Sequence, residues 1–244
     1  MSGKPSWWDD AMDEIAPILK DFHRSLREGI RNATESELRK KVREAPRFRI
    51  AVLGRSTPRE VAETIAESWV LASTATKLGT AMEGVAQILS RYYAAERGGI
   101  SIKSGAKGVD METEVDGKRR FWQLTTNHQT KSGSSASGLK KELKQAVRIA
   151  KQGNKDKVIV AAYGRYDKRD RKNTTKDPEE YEGKYFWEEI TGWSGARDAL
   201  TEEVAKGGRN GLSEERMEAA RKLERIILDN QPKQTGLDLE DKDE

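Results

Sequence analysis

The stretch of sequence that decides the fold is GVDMETEVDGKRRFWQLT, residues 108–125. At its centre, Asp116-Gly117 separates two segments in which apolar and polar residues alternate. This dipeptide is the strongest short signal for a two-residue hairpin turn, because both turn positions need a positive φ that Asp and Gly tolerate. The stretch therefore predicts an antiparallel hairpin of residues 109–115 and 119–126.

A two-residue turn fixes the register of the two strands. Glu112 then lies opposite Phe121, and Asp110 lies opposite Gln123, with Cβ atoms about 4.5–5.5 Å apart. Successive side chains point to opposite faces of a strand. One face is expected to carry the polar residues Asp110, Glu112, Gln123 and Thr125. The other is expected to carry the apolar residues Val109, Met111, Trp122 and Leu124.

The polar face of this hairpin is a candidate cation site. A carboxylate that faces a second oxygen ligand across two strands suits Mg²⁺, which needs few protein ligands and keeps several waters. Beside a basic groove, such an ion can polarise a phosphodiester and activate a water molecule. The alternative is an ordinary solvated face, since antiparallel sheets commonly have one polar side.

The positive charge of the chain is concentrated around this hairpin. Residues 97–172 contain 19 Lys and Arg against 8 Asp and Glu, whereas the rest of the 244-residue chain contains 26 against 33. A basic middle in an otherwise acidic chain is typical of a surface that binds a polyanion such as nucleic acid. A solvated charged surface with no such partner has the same composition.

The composition excludes several kinds of site. The chain has no cysteine and only two histidines, His23 and His128. Disulfides, thiolate zinc sites, iron–sulfur clusters and multi-histidine metal centres are therefore excluded. No apolar run approaches the roughly 20 residues that cross a bilayer, and no signal peptide is recognisable. We therefore expect a soluble cytoplasmic protein with no membrane partner.

The patterns on either side of the hairpin indicate an α/β fold. Helices are predicted over residues 57–69 and 78–92, followed by a short strand at 100–102 and then the hairpin. A helix over 139–150 leads to a buried strand at 157–163. Because a helix between two strands usually makes a crossover within one sheet, we expect a mixed central sheet with flanking helices.

Four segments are expected along the chain. Residues 1–56 form an N-terminal helical segment whose apolar stripe, from Trp8 to Ile30, contains Pro17, which we expect to kink or restart the helix. Residues 57–192 form the α/β core, with a polar surface loop at 166–183. Residues 193–230 contain two helices, and residues 231–244 are an acidic disordered tail. The apolar stripe is a natural dimerisation surface, although it can instead pack on its own domain.

Four fragments of the sequence resemble parts of one nuclease superfamily. Residues 108–125 resemble the metal-binding hairpin of PD-(D/E)XK nucleases, in particular type II restriction endonucleases of the PmeII-like group. Residues 76–83 resemble the helix that carries an additional acid, 162–165 the end of the last core strand, and 183–192 the aromatic stretch beyond it. The resemblance spans about residues 76–192 and implies a restriction-endonuclease-like core.

This resemblance also implies roles for individual residues. Asp110 takes the place of the metal-binding aspartate, Gln123 that of the second acid, and Glu83 that of the acid on the helix. Leu124 contributes its backbone carbonyl, and the lysine of the family falls on Thr125. The implied catalytic residues are Asp110, Gln123, Thr125 and Glu83. The candidate metal ligands are Asp110, Gln123 and Glu112.

Two of these positions depart from the family pattern. Gln123 removes one negative charge from the metal site, and Thr125 cannot supply the positive charge of a lysine. The loss of one such electrostatic group lowers a rate by about 10²–10³. The residues considered as replacements for the lysine are Lys107, Lys118 and Lys131.

The sequence thus supports a Mg²⁺-dependent restriction-type endonuclease, with Mn²⁺ as a substitute ion. It is expected to cut double-stranded DNA at a specific site, as a homodimer on a two-fold symmetric target and beside a cognate methyltransferase. The candidate DNA contacts are Lys118, Arg119, His128, Lys131 and Arg165. One alternative is an inactive DNA-binding protein on the same scaffold, which Gln123 and Thr125 favour. Another is an α/β module whose basic middle binds an acidic partner.

Overall fold

The computed structural model describes residues 3–45, 47–125, 133–153, 157–166, 169–208 and 212–230. Its helices are α1 (Trp8–Arg31), α2 (Glu35–Arg43), α3 (Arg47–Val52), α4 (Pro58–Glu96), α5 (Gly133–Gly153), α6 (Lys184–Thr191), α7 (Ala196–Gly208) and α8 (Ser213–Asp229). Its strands are β1 (Ile100–Lys103), β2 (Met111–Val115), β3 (Lys118–Thr125), β4 (Val158–Arg165), β5 (Arg171–Asn173) and β6 (Glu179–Glu182).

The six strands form one mixed sheet in the order β1-β2-β3-β4-β6-β5. Strands β1, β2 and β3 pair antiparallel, whereas β3, β4 and β6 run parallel. Strand β5 forms an edge, antiparallel to β6. Helix α5 provides the crossover between β3 and β4. The predicted mixed α/β class and its order of helix, strand, hairpin, helix and strand are confirmed.

Helices cover both faces of the sheet. On one side, which we call the α5 face, Phe121 packs with Leu143 and Val147 of α5. On the other side, which we call the α4 face, Trp122 and Leu124 join a larger core built with α1, α4, α6 and α7. The sheet is thus the middle of three layers, typical of a sheet that buries both faces.

The chain divides into two compact units. One contains residues 1–25 and 74–209, and therefore the whole sheet. The other contains residues 26–73 and 210–244. In this second unit α2 packs against α8, and Arg31 pairs with the buried Glu215 at 2.9 Å. No helix in the described parts of the chain is both long and apolar enough to cross a bilayer.

Two predicted interruptions are absent from the helices. Pro17 lies inside a continuous α1, where Ile15 and Leu19 pack into the core of the same chain. This packing outweighs the single hydrogen bond that a proline removes. The predicted helices over 57–69 and 78–92 are one 39-residue helix, α4, because the residues between them include no proline that would end it.

The predicted surface loop over residues 166–183 is wrong, because this segment contains β5 and β6. Strand β6 is buried although three of its four residues are glutamates. Glu179 pairs with Lys118 at 2.5 Å, and Glu182 pairs with Arg165. Since both partners come from other strands, β3 and β4, the acidic composition of β6 conceals its burial.

Candidate functional site

The Asp116-Gly117 turn sets the predicted register of the hairpin. Both turn residues have a positive φ, 52° for Asp116 and 74° for Gly117, as a two-residue hairpin turn of this kind requires. Glu112 pairs with Phe121 in the resulting ladder. The predicted pairing of the two strands is therefore confirmed.

Asp110 lies just before β2 and is tied to β3 by three hydrogen bonds. Its backbone N–H donates to the carbonyl of Trp122 at 2.8 Å. Its Oδ2 atom accepts from the backbone N–H of Leu124 at 2.7 Å and from Nε2 of Gln123 at 2.6 Å. The predicted juxtaposition of Asp110 and Gln123 is therefore confirmed.

Val109 does not share the face of the other apolar hairpin residues, contrary to the prediction. It packs with Phe121 and Leu143 on the α5 face. Gly108 has a φ of 75°, and the N–H of Val109 donates to the carbonyl of Ala106 at 3.1 Å. Val109 therefore belongs to a turn, and the alternation of a strand does not reach it.

The Gln123 amide that donates to Asp110 through Nε2 also carries a buried oxygen. The side chain is 5% exposed, and Oε1 has no hydrogen-bond partner among the described residues. A buried acceptor left unsatisfied costs about 1–3 kcal/mol, and such atoms in native proteins often mark the place of an ion or water. An amide oxygen next to a carboxylate is also a donor set that fits Mg²⁺.

Glu83 lies on the face of α4 that crosses the end of β3. Nε2 of Gln87 donates to the backbone carbonyl of Asp110 at 3.4 Å, and the carbonyl of Gly79 accepts from the hydroxyl of Tyr166 at 3.2 Å. Because residues four apart share a helix face, Glu83 lies between these two contacts. Asp110 precedes β2 and Tyr166 follows β4, so the strand between them is β3.

Among the described residues, no three Asp, Glu or His side chains form a cluster that could hold a metal ion. At this point the hairpin supplies one carboxylate, that of Asp110, and the amide of Gln123. Mg²⁺ commonly binds proteins through one or two carboxylates and retains several waters. The residues present therefore fit a sparsely ligated magnesium ion.

Two of the three lysines considered as replacements for the family lysine are paired elsewhere. Lys118 pairs with Glu179 and lies at the opposite end of β3 from Thr125, about 23 Å away along the strand. Lys107 pairs with Glu142 at 2.7 Å. Lys131 lies outside the described residues, as does His128.

Glu112 and Arg119 form an internal pair. Arg119 donates to Oε2 of Glu112 at 2.6 Å, and the hydroxyl of Ser104 donates to Oε1 at the same distance. Both carboxylate oxygens of Glu112 are thus engaged. Metal binding by Glu112 and DNA contact by Arg119 stay predictions.

Arg165 is enclosed at the end of β4. It is 3% exposed, forms a buried ion pair with Glu182, and places Cζ 5.6 Å from the centroid of the Tyr163 ring. Burial raises the pKa of Tyr163, although the positive charge of Arg165 opposes this rise. Arg165 is therefore paired within the protein, and DNA contact by Arg165 stays a prediction. The sequence offers no signal for this enclosure, since it depends on β6.

Comparison with known proteins agrees with this geometry. The family model for type II restriction endonuclease EcoO109I matches residues 15–206, well over half of the chain. The match includes the whole sheet, the hairpin and the helix that carries Glu83. No curated protein matches the chain. The chain thus belongs to the type II restriction endonuclease EcoO109I family, a family of DNA endonucleases.

Proposed function

We propose that this chain is a Mg²⁺-dependent endonuclease of the PD-(D/E)XK type, related to the PmeII-like group, that cuts double-stranded DNA at a specific site. The observation that carries the proposal is the contact of Asp110 with Gln123, where β2 begins and β3 ends. There the amide that donates to the Asp110 carboxylate carries a buried oxygen that has no hydrogen-bond partner in the described structure.

Asp110 and Gln123 would hold the ion, with Glu83 as the additional acid from α4. The N–H of Leu124 keeps the Asp110 carboxylate in place. A half-turn of the Gln123 amide exchanges Nε2 and Oε1, two atoms of similar size, and brings an oxygen to the carboxylate. When bound, the ion supplies polarisation of the phosphodiester and a water of lowered pKa.

Helix α5 offers cations for the DNA backbone beside this site. It follows β3 in the chain, so its first turns lie at the edge of the sheet where β3 ends. Its basic side chains are exposed, unlike Arg165, and are suited to phosphate contacts that give sequence-independent affinity. They are Lys140, Lys141 and Lys144 near the middle of the helix, and Arg148 and Lys151 towards its C-terminal end.

A symmetric DNA target calls for a homodimer, and residues 1–56 contain a surface for it. The apolar stripe of α1 is buried within the chain itself, for example at Ile15 and Leu26. Helix α3, in contrast, leaves Phe48 91% and Val52 85% exposed. We infer that α3 provides the dimer contact. As for other restriction-type endonucleases, we also propose a cognate methyltransferase as a partner.

The proposed activity is tested by incubating the protein with mixed plasmid DNA and Mg²⁺ or Mn²⁺. We expect discrete fragments from the native protein. Asp110→Ala should abolish cleavage but keep the mobility shift of DNA, since it leaves the exposed cations in place. Asp198→Ala, at an exposed position of α7, is the matched control and should cut normally. Fragments that persist in Asp110→Ala would contradict the proposal.

A second candidate is a DNA-binding protein that has lost cleavage on the same scaffold. The neutral side chains of Gln123 and Thr125 favour it, as does the absence of a three-carboxylate cluster in the described residues. A mobility shift of DNA without cleavage, in either metal ion, would select this candidate.

A further inference from the structure

On the α5 face, where the parallel strands end, paired residues of neighbouring strands form two rows of side chains. We name each row by its residue on β3, Gln123 or Thr125. In the register of β3 and β4, Gln123 pairs with Tyr163 and Thr125 pairs with Arg165. In the register of β4 and β6, Arg165 pairs with Glu182. Paired residues of neighbouring strands project from the same face of a sheet. Arg165 therefore stands directly beside Thr125 on the face that carries Gln123.

The guanidinium of Arg165 contacts a side chain of the neighbouring row, the row of Gln123. Its Cζ atom lies 5.6 Å from the centroid of the Tyr163 ring. Tyr163 is the partner of Gln123, on a strand about 4.8 Å away. A buried positive charge thus lies next to the row that contains Gln123, the partner of Asp110.

Glu182 sets the direction in which this charge acts. The strand order is β3-β4-β6, so Glu182 lies on the side of Arg165 that is remote from β3. Both side chains are almost fully buried. The positive end of the pair therefore faces the candidate site and the negative end faces away. Because a guanidinium stays protonated at all working pH values, it can stabilise negative charge but cannot accept a proton.

Hydrolysis of a phosphodiester needs such a charge, since attack by water increases the negative charge on the phosphoryl oxygens. Asp110 adds a further negative charge, and Thr125 supplies no positive charge to offset it. The Thr125 row contains two arginines, Arg165 and Arg171, which both pair with Glu182 in the sheet. Arg165 is buried, whereas Arg171 is exposed on the edge strand. We propose that Arg165, positioned by Glu182, provides the positive charge of the cleavage site. This inference rests on the proposed endonuclease function.

The test must separate charge from folding. Removing Arg165 alone leaves Glu182 buried without its partner, which destabilises a protein strongly. The informative variant is Arg165→Gln with Glu182→Gln, in which two amides replace the ion pair. We expect it to stay folded by circular dichroism and to bind DNA in Ca²⁺ as the native protein does. Its single-turnover cleavage rate in Mg²⁺ should fall by about 10²–10³.

Two further readouts distinguish electrostatics from structure. The rising limb of the pH–rate profile should move to higher pH in the double variant, because loss of a positive charge raises the pKa of the attacking water. Addition of Thr125→Lys should recover about tenfold or more of the rate, since it restores a cation on the same face and row. Thr125→Met, of similar length without charge, should recover nothing.

Each outcome decides the matter. Normal cleavage by the double variant overturns the role of Arg165, as does a loss that Thr125→Lys does not recover. Weakened DNA binding with an unchanged cleavage rate would make Arg165 a DNA contact instead. If the native protein does not cut but its Thr125→Lys variant does, Arg165 supplies no such charge, although the proposed nuclease scaffold is supported. If neither protein cuts, the proposed function fails, and this inference falls with it.

Discussion

The side chain of Gln123 joins the two strands of the candidate site. Its Nε2 donates to Asp110, and its Oε1 lacks a hydrogen-bond partner in the described structure. Because an amide is neutral, this site attracts a cation less strongly than two carboxylates would. The same neutrality avoids the repulsion that two adjacent carboxylates suffer when no cation lies between them.

Gln123→Glu should therefore tighten metal binding. We expect about tenfold higher affinity for Mn²⁺, equivalent to about 1.4 kcal/mol, measured by calorimetry without DNA. The metal-free variant should have a lower free energy of unfolding at neutral pH, since two carboxylates then adjoin. Gln123→Met, similar in size but without an oxygen, should bind Mn²⁺ more weakly than the native protein. Equal affinities in all three proteins would place the ion elsewhere.

The two contacts at this site differ in how far the sequence predicts them. The partner of Asp110 follows from the two-residue turn, which fixes the register of the hairpin. The partner of Thr125 does not, because β3 and β4 are parallel and are joined through α5 rather than by a tight turn. Only the structure therefore places Arg165 beside Thr125.

At the scale of whole elements, β6 is a buried strand that its amino-acid composition does not predict. Strands are recognised by alternating or continuous apolar residues, and β6 has three glutamates. Its burial depends on cations from β3 and β4, namely Lys118, Arg120 and Arg165. The long-range ion pairs of β6 leave no local pattern, whereas the hairpin and α5 have patterns that predict them.

Glu179 makes the attachment of β6 sensitive to pH. Burial raises the pKa of Glu179, but hydrogen bonds from Lys118 and Tyr181, with the charges of Lys118 and Arg120, outweigh burial and leave the pKa below its usual value of 4.5. A carboxyl group whose pKa falls on folding stabilises the protein above its unfolded-state pKa. This stabilisation is lost as the pH drops through the folded-state pKa.

We accordingly expect Glu179→Gln to lower the free energy of unfolding at pH 7 and to flatten its decline below about pH 5. Urea denaturation across this range measures both effects. The control is Glu188→Gln, at an exposed position of α6, which should follow the native curve. A Glu179→Gln curve that runs parallel to the native one would show that Glu179 does not titrate differently on folding.

Strand β4 and helix α6 meet closely at Gly164. A Cβ atom there would overlap the ring of Phe186 and lie 2.9 Å from Cδ2 of Leu124. Gly164→Ala should destabilise the protein by about 1–3 kcal/mol, lowering Tm by about 2–4 °C per kcal/mol. Gly138→Ala, in α5 with open space around it, should be neutral or stabilising by up to about 1 kcal/mol. Similar losses at both glycines would contradict the close packing.

For the molecule as a whole, the order of elements is easier to predict than their grouping. The mixed sheet follows from strands and helices that are neighbours in the sequence. Each compact unit, in contrast, combines two separate stretches, such as residues 26–73 with 210–244. The sequence pattern predicts continuous segments. It does not predict this grouping, because the contact of α2 with α8 joins residues far apart in the sequence.

The most direct test of the account is the position of a metal ion bound by the native protein. Crystals soaked in Mn²⁺ should show an anomalous peak within ligand distance, about 2.1 Å, of the Asp110 carboxylate and of Oε1 of Gln123. The peak should be missing from Asp110→Ala crystals treated in the same way. A peak elsewhere, or none while Nε2 of Gln123 still donates to Asp110, would contradict the account.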